Sequence, residues 1–316
     1  MTVSTTIPVR FIGCDVGKRT IAVFDSITGA GTDLPNEPAA LAAFAAALPA
    51  QALVICEATG GYEAALLDAL VRAGRPVHRA DARRVKAFIR SLGTLAKTDA
   101  LDARALARYG QERHDRLPRW SPREPERALL ATLVATRTDL VRARVALTNR
   151  AQAPAAAPVA DALHALVAHH DTAIADLEAR IAALVATTPP LAAATATLRA
   201  IPGIGATTAT ALVALLPELG TIDRKAIASL AGLAPHPRQS GACDAYRRTR
   251  GGRPDVKRTL FMATLAAVRC HPTIARFYAR LRHNGKKPIL ALTAAMRKLL
   301  TIANAKLRDH LTTQLS

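Results

Sequence analysis

The chain is short of aromatic residues, which make up 3% of its 316 positions. Proteins that hold unpaired bases do so on aromatic platforms, so this scarcity argues against that mode of nucleic-acid binding. Cysteine is scarce too: Cys14, Cys56, Cys243 and Cys270 are scattered and form no CxxC pair. That spacing argues against a structural zinc site, and Cys14 and Cys56, set in apolar stretches, read as small core residues. No run of about eighteen uninterrupted apolar residues occurs, which argues against a transmembrane helix. Residues 1–8 lack a charged stretch followed by an apolar one, so no export signal is expected and a cytoplasmic protein is the default.

Acidic charge is the remaining shortage. There are 24 Asp and Glu against 43 Lys and Arg, giving a formal net charge of +19. From His236 to the C-terminus 17 Lys and Arg face 3 Asp and Glu, a difference of +14. Such a concentration is the footprint of phosphate binding, because each neutralised phosphate releases condensed counterions. A solvated basic face or an anionic membrane surface is the plainer alternative. With so few aromatics, duplex backbone or structured RNA is the expected partner, and no membrane.

What the chain has is length and apolar material. Half of its residues are hydrophobic, enough for two compact domains, or two with a helical connector. The first hundred residues alternate strand and helix signals. Strands are predicted at residues 9–14, 20–24, around 32–34, 52–56 and 76–78, with helices over 38–48 and 62–73 and a basic helix from Arg83. The run Ala52-Leu53-Val54-Ile55-Cys56 is continuously apolar, as suits a strand buried on both faces. This order predicts an α/β domain with a mixed sheet. In the middle, Leu133, Leu140 and Leu147 fall seven apart, and Leu163, Val167, His170, Ile174, Leu177, Ile181 and Leu184 alternate spacings of four and three. That pattern fits a coiled-coil seam, within the chain or with a second chain, and equally ordinary packing on a neighbouring domain. Pro154 and Pro158 interrupt it as a hinge. Beyond Pro189-Pro190 the chain reads as helical, with turns at Pro202-Gly203 and 232–235, a Gly-, Arg- and Pro-rich loop over 237–254, and helices over 255–270, 273–282 and 287–308.

Four carboxylates carry the chemistry. Asp15 and Glu57 each end an apolar strand, where a buried sheet delivers side chains to its rim. Asp99 and Asp102 lie three apart in Lys97-Thr98-Asp99-Ala100-Leu101-Asp102, so a helix capped by Thr98 presents both on one face. Gathering acids is unfavourable because like charges repel, and bound Mg²⁺ offsets this while clamping the oxygens of a phosphoryl transfer. Taken singly, Asp99 and Asp102 are helix-start residues and Asp15 a turn residue before Gly17. Four together, after strands in this order and beside a basic half, point to a metal site.

Two further segments lie in the basic half. Ile201-Pro202-Gly203-Ile204-Gly205-Ala206-Thr207-Thr208-Ala209 looks like a helix-hairpin-helix signature, in which Gly203 and Gly205 permit a tight turn with backbone N–H groups facing a phosphate; a plain turn between helices is the alternative. Downstream, Gln239-Ser240-Gly241 is followed by Arg247, Arg248, Arg250 and Arg253, with Arg238 before it. A Ser-Gly in a loop is usually a turn, since a serine hydroxyl needs a base or metal to become a nucleophile. Nearby arginines would stabilise charge on a pentacovalent phosphate.

Gly13-Cys14-Asp15-Val16-Gly17-Lys18, Cys56-Glu57-Ala58-Thr59-Gly60-Gly61-Tyr62 and Lys97-Thr98-Asp99-Ala100-Leu101-Asp102-Ala103 resemble the three blocks of the DEDD transposases of the insertion-sequence one-ten family. The segment around Ser240 resembles that family's C-terminal domain, as do, less specifically, residues 277–282 and 295–300. The resemblance covers nearly the whole chain. It implies an RNase H-like domain similar to the RuvC resolvase, with Asp15, Glu57, Asp99 and Asp102 as a Mg²⁺-binding tetrad. It implies Ser240 as the nucleophile that becomes linked to DNA, and a structured noncoding bridge RNA that pairs with donor and target DNA. It also implies a homo-oligomer, dimer or tetramer, in which one subunit's carboxylates meet another's serine. The expected architecture is therefore α/β plus α: a RuvC-like domain over 1–118, a helical, possibly coiled-coil connector over 119–190, and an α-helical domain over 191–316 that contains the hairpin. A RuvC-like nuclease using water, and a non-catalytic nucleic-acid-binding protein, are the rival readings.

Overall fold

The computed structural model describes residues 10–93, 98–235, 238–240, 243–245 and 249–315, with the backbone alone at 238–240, 243–245 and 314–315. The chain forms two compact units, Met1–Pro122 and Arg123–Ser316.

The first unit is built on a five-stranded sheet. Its strands are β1 (Arg10–Val16), β2 (Thr20–Asp25), β3 (Gly31–Pro35), β4 (Ala52–Glu57) and β5 (Val77–Ala80), and its helices α1 (Pro38–Ala47), α2 (Ala64–Arg72), α3 (Ala82–Ser91) and α4 (Asp99–Arg113). The strand order is β3-β2-β1-β4-β5. β2 runs antiparallel to β1 and β3, whereas β4 runs parallel to β1 and β5. This mixed sheet is consistent with an RNase H-like fold.

Side chains alternate along a strand, so β1 and β4 each feed two cores. On one face Ile12, Cys14, Val54 and Cys56 pack with Leu41 of α1 and Leu66 and Leu70 of α2. On the other, Phe11, Leu53 and Ile55 pack with Val85 and Phe88 of α3 and Leu106 and Tyr109 of α4. Ile12, Leu53 and Ile55 are fully buried, each worth about 1.5–3 kcal/mol relative to exposure. Two glycines let α4 lie directly on the sheet. A Cβ on Gly13 would come within 1.9 Å of the Ala103 carbonyl oxygen, and one on Gly110 within 2.2 Å of Ile55 Cδ1.

The second unit is helical: α5 (Pro125–Ala151), α6 (Ala160–Thr187), α7 (Pro189–Arg199), α8 (Ala206–Leu215), α9 (Arg224–Leu230), α10 (Pro254–Cys270), α11 (Pro272–His283) and α12 (Pro288–Leu315), with a small hairpin of β6 (Arg238–Ser240) and β7 (Cys243–Ala245) before α10. Proline stands in the first turn of α1, α5, α7, α10 and α11, where its missing N–H would have no helical partner anyway. The core joins Leu130 and Val134 of α5 to Leu191 and Leu198 of α7, Leu212 of α8, Leu260 of α10 and Leu299 and Ala303 of α12. The middle helices thus share a core with the C-terminal ones.

α5 and α6 form an antiparallel pair, with the prolines of 154–159 in a short 3₁₀ turn between them. Arg137 pairs with Glu178; seven residues on along α5, Arg144 pairs with Asp171, seven residues back along α6. The leucine stripe fills the seam, with Leu133, Leu163, Ile174 and Leu177 buried. Among the described residues, no single helix is long and apolar enough to cross a membrane.

Candidate active site

Asp15 and Glu57 stand at the same end of neighbouring parallel strands. The register pairs Cys14 with Cys56, so the residues that follow, Asp15 and Glu57, are level. By alternation Asp15 shares the face of Phe11 and Gly13, and Glu57 that of Ile55, the face that α4 covers. α4 descends this face with Ala103 and Ala107 over Gly13 and Gly110 over Ile55. Its first turn, with Asp99 and Asp102, is therefore directed toward the strand ends that carry Asp15 and Glu57. Thr98 caps the helix, its hydroxyl accepting from Leu101 N at 3.3 Å, as the sequence predicts.

All four are hard oxygen donors, the chemistry that suits Mg²⁺. Yet no group of three or more His, Cys, Asp or Glu among the described residues comes together as an ion-holding cluster. Asp15 and Glu57 share a face and a strand end, and the first turn of α4 carries Asp99 and Asp102.

Behind the site the sheet is inert. Cys14 and Cys56 are fully buried; burial pushes the Cys14 thiol far up and that of Cys56 up to about 12, so neither is a thiolate nucleophile at neutral pH.

One acid escaped the sequence reading. Glu63, 2% exposed, accepts from Thr59 N and Oγ1 and from Gly61 N, and takes a two-pronged bond from Arg79 at 2.8 and 2.6 Å. Burial would raise its carboxyl, but these hydrogen bonds and Arg79 hold it below the usual range. The only signal in the sequence is a charge at the head of a mostly apolar helix.

In the second unit the glycine turn joins α7 to α8. Gly203, at φ +92°, presses on α10: a Cβ there would meet Ala267 Cβ at 2.6 Å. Its need for glycine thus comes from packing between helices. Gly205 borders open space and precedes α8 with no side-chain cap, leaving the first N–H groups of that helix without an internal partner. Ser240 lies on β6, its backbone level with Cys243 of β7, and Arg238 begins the same strand. Arg247 and Arg248 lie outside the described residues. Arg250 is exposed. The Arg253 guanidinium, part exposed, grips both oxygens of Glu218 at 2.6 Å and the Leu215 carbonyl at 2.9 Å. It ties the segment after α8 to the start of α10.

Two family models match the chain. A transposase family model of the DEDD type matches residues 12–154, which contain all four carboxylates, and one described as Transposase IS116/IS110/IS902 family matches residues 195–279, which contain the glycine turn and Ser240. The pilin gene-inverting protein of Moraxella lacunata is 31% identical over 261 residues, covering 81% of this chain and 80% of that protein. Its namesake in Moraxella bovis shows the same identity over the same shares. An uncharacterized 43.6 kDa protein of the insertion element IS110 in Streptomyces coelicolor is 33% identical over 135 residues, 42% of this chain and 32% of that protein. The chain belongs to the IS110 family of transposases, enzymes that cut and rejoin DNA.

Proposed function

We propose that this transposase breaks and rejoins DNA with Ser240 as nucleophile and with Asp15, Glu57, Asp99 and Asp102 as a Mg²⁺ site. The observation that supports this most is the convergence of the first turn of α4 on the ends of β1 and β4, which directs four carboxylates of one face to one rim. Bound Mg²⁺ would supply charge neutralisation at the oxygens of the phosphate. The residues themselves do the rest. Ser240 Oγ forms a bond to phosphorus as one sugar oxygen leaves with its electron pair and takes a proton, and the serine proton passes to a base. Attack of a sugar hydroxyl on the phosphoserine then restores the diester and frees the serine. No oxidant or energy source is needed, since one diester replaces another.

Arg238, Arg247, Arg248 and Arg250 are proposed to hold phosphates, as is the turn at Gly203 and Gly205; Arg253 braces the segment after α8 through Glu218 and Leu215. A structured noncoding RNA is proposed to choose the sequence by pairing, since the chain offers basic surface rather than aromatic platforms. A homo-oligomer would bring the serine of one subunit to the carboxylates of another. The names of the Moraxella proteins favour rejoining over hydrolysis, because inverting a gene reconnects both ends.

The experiment is cleavage of supercoiled DNA carrying the element's ends, with and without Mg²⁺ and with and without the flanking noncoding RNA. Rejoined products that require both support the reading. Linear products that form without RNA would make this a metal nuclease that uses water.

A further inference from the structure

The exits of β1 and β4 are bound together on the side away from the carboxylates. Thr59 and Gly61 follow Glu57 closely and both donate to Oε2 of Glu63, while Arg79 holds Oε1. Arg79 sits on β5 beside Cys56, and Ala58 N donates to the Ala80 carbonyl at 3.2 Å. The segment leaving Glu57 is therefore drawn onto β5 through one buried carboxylate that receives five hydrogen bonds. Gly60 and Gly61, at φ +72° and +108°, permit the tight loop this requires. The exit of β1 joins the same bracket: Asn36 Nδ2 donates to the carbonyls of Gly17, at 3.0 Å, and of Tyr62, at 3.1 Å. Gly17 follows Asp15 by two residues, and Tyr62 precedes Glu63.

We propose that Glu63, with Arg79 and Asn36, is a positioning residue that fixes the spacing of Asp15 and Glu57 and so sets the affinity of the rim for a divalent cation. This rests on the reading that those carboxylates hold the cation. Glu63 is no ligand itself, because both its oxygens are already taken. A fixed spacing matters because a small divalent ion demands close octahedral geometry, and partners behind the ligands tune affinity by about 10–100-fold.

The test is Mn²⁺ binding to the full-length chain, followed by electron paramagnetic resonance, with circular dichroism reporting the fold. Glu63→Gln keeps the shape but weakens the grip on Arg79 and the loop, and is expected to weaken Mn²⁺ binding about tenfold, with cleavage recovering at high metal concentration. Arg79→Lys keeps the charge but loses the fork, and is expected to fold and bind at an intermediate level. Wild-type Mn²⁺ affinity in a folded Arg79→Lys, or in Glu63→Gln with only a lowered melting temperature, would overturn the positioning role. Wild-type affinity in Asp15→Asn would remove the carboxylate reading itself, and this proposal with it.

Discussion

Gly13 of β1 and Ala103 of α4 are so close that a methyl group on the glycine would lie 1.9 Å from the alanine carbonyl oxygen and 2.6 Å from Ala107 N. Both obstacles are backbone, so the helix must move. Gly13→Ala is expected to destabilise the first unit by about 1–3 kcal/mol or more and to lift Asp99 and Asp102 away from Asp15. At Gly110 the obstacles are side chains, Ile55 Cδ1 and Cγ1 at 2.2 and 2.8 Å and Phe11 Cδ1 at 3.2 Å, which can repack at lower cost than backbone can shift. Thermal unfolding and metal-dependent cleavage should both rank Gly13→Ala as the worse substitution; equal effects would contradict the close seat of α4.

The grip of Arg253 on Glu218 separates support from phosphate contact. Arg253→Ala is expected to lower stability by about 1–2 kcal/mol while leaving the salt dependence of nucleic-acid binding almost unchanged. A residue that neutralises a phosphate would instead reduce the slope of log affinity against log salt by about one. Arg250→Ala is expected to do that, with little change in melting temperature. The two variants, titrated at several salt concentrations, distinguish the roles.

The register of α5 against α6 makes a modest, specific claim. Arg144 and Asp171 lie on the surface and pair at 2.8 Å, so either single reversal should cost about 0.2–1 kcal/mol and the double reversal should restore most of it. A double-mutant cycle by chemical denaturation measures the coupling. Zero coupling would mean that these helices meet differently in solution.

Stability should fall on acidification in two stages. His78 is buried with Nδ1 donating to the Pro118 carbonyl at 2.8 Å, and burial lowers its pKa from the usual 6.5. A folded pKa below the unfolded one favours the neutral ring, so its contribution is complete above about 6.5 and declines as pH falls below it. Glu63 and Glu218 are likewise lowered from 4.5: burial opposes the shift, and hydrogen bonds including those from Arg79 and Arg253 prevail. Their contributions are present above about 4.5 and are lost as pH falls through the lower folded values. Melting temperature against pH should show both declines, with Glu63→Gln and Glu218→Gln each flattening the more acidic one.

The strands and helices that bear the carboxylates were legible because their signals are local. Apolar runs ending at an acid mark β1 and β4, and Thr98 announces α4. α9 was legible only as part of an undivided helical stretch before the 232–235 turn: it has only seven residues, too few for a periodic stripe of its own, although Asp223 caps it by accepting from Lys225 N and Ala226 N. The hairpin of β6 and β7 has three-residue strands inside a segment whose Gly, Arg and Pro content reads as loop. Glu63 and Arg253 were opaque for another reason. Their partners lie 16 and 35 residues away, so a buried clamp and a free surface charge look identical in sequence. The seam of α5 and α6 was legible as a stripe, but only the paired charges reveal that the two helices satisfy each other.

The most direct test of the proposed chemistry is to look for the bond to DNA itself. Purified protein, Mg²⁺, the flanking RNA and supercoiled DNA with the element's ends would be incubated, denatured and digested, and the peptide containing Ser240 read by mass spectrometry. The same would be done for Ser240→Ala and Asp15→Asn. The expected result is a nucleotide on Ser240 in the unaltered protein, absent from both variants, neither of which yields rejoined DNA. Cleavage that persists in Ser240→Ala with free DNA ends would contradict the serine mechanism and leave a metal-dependent nuclease.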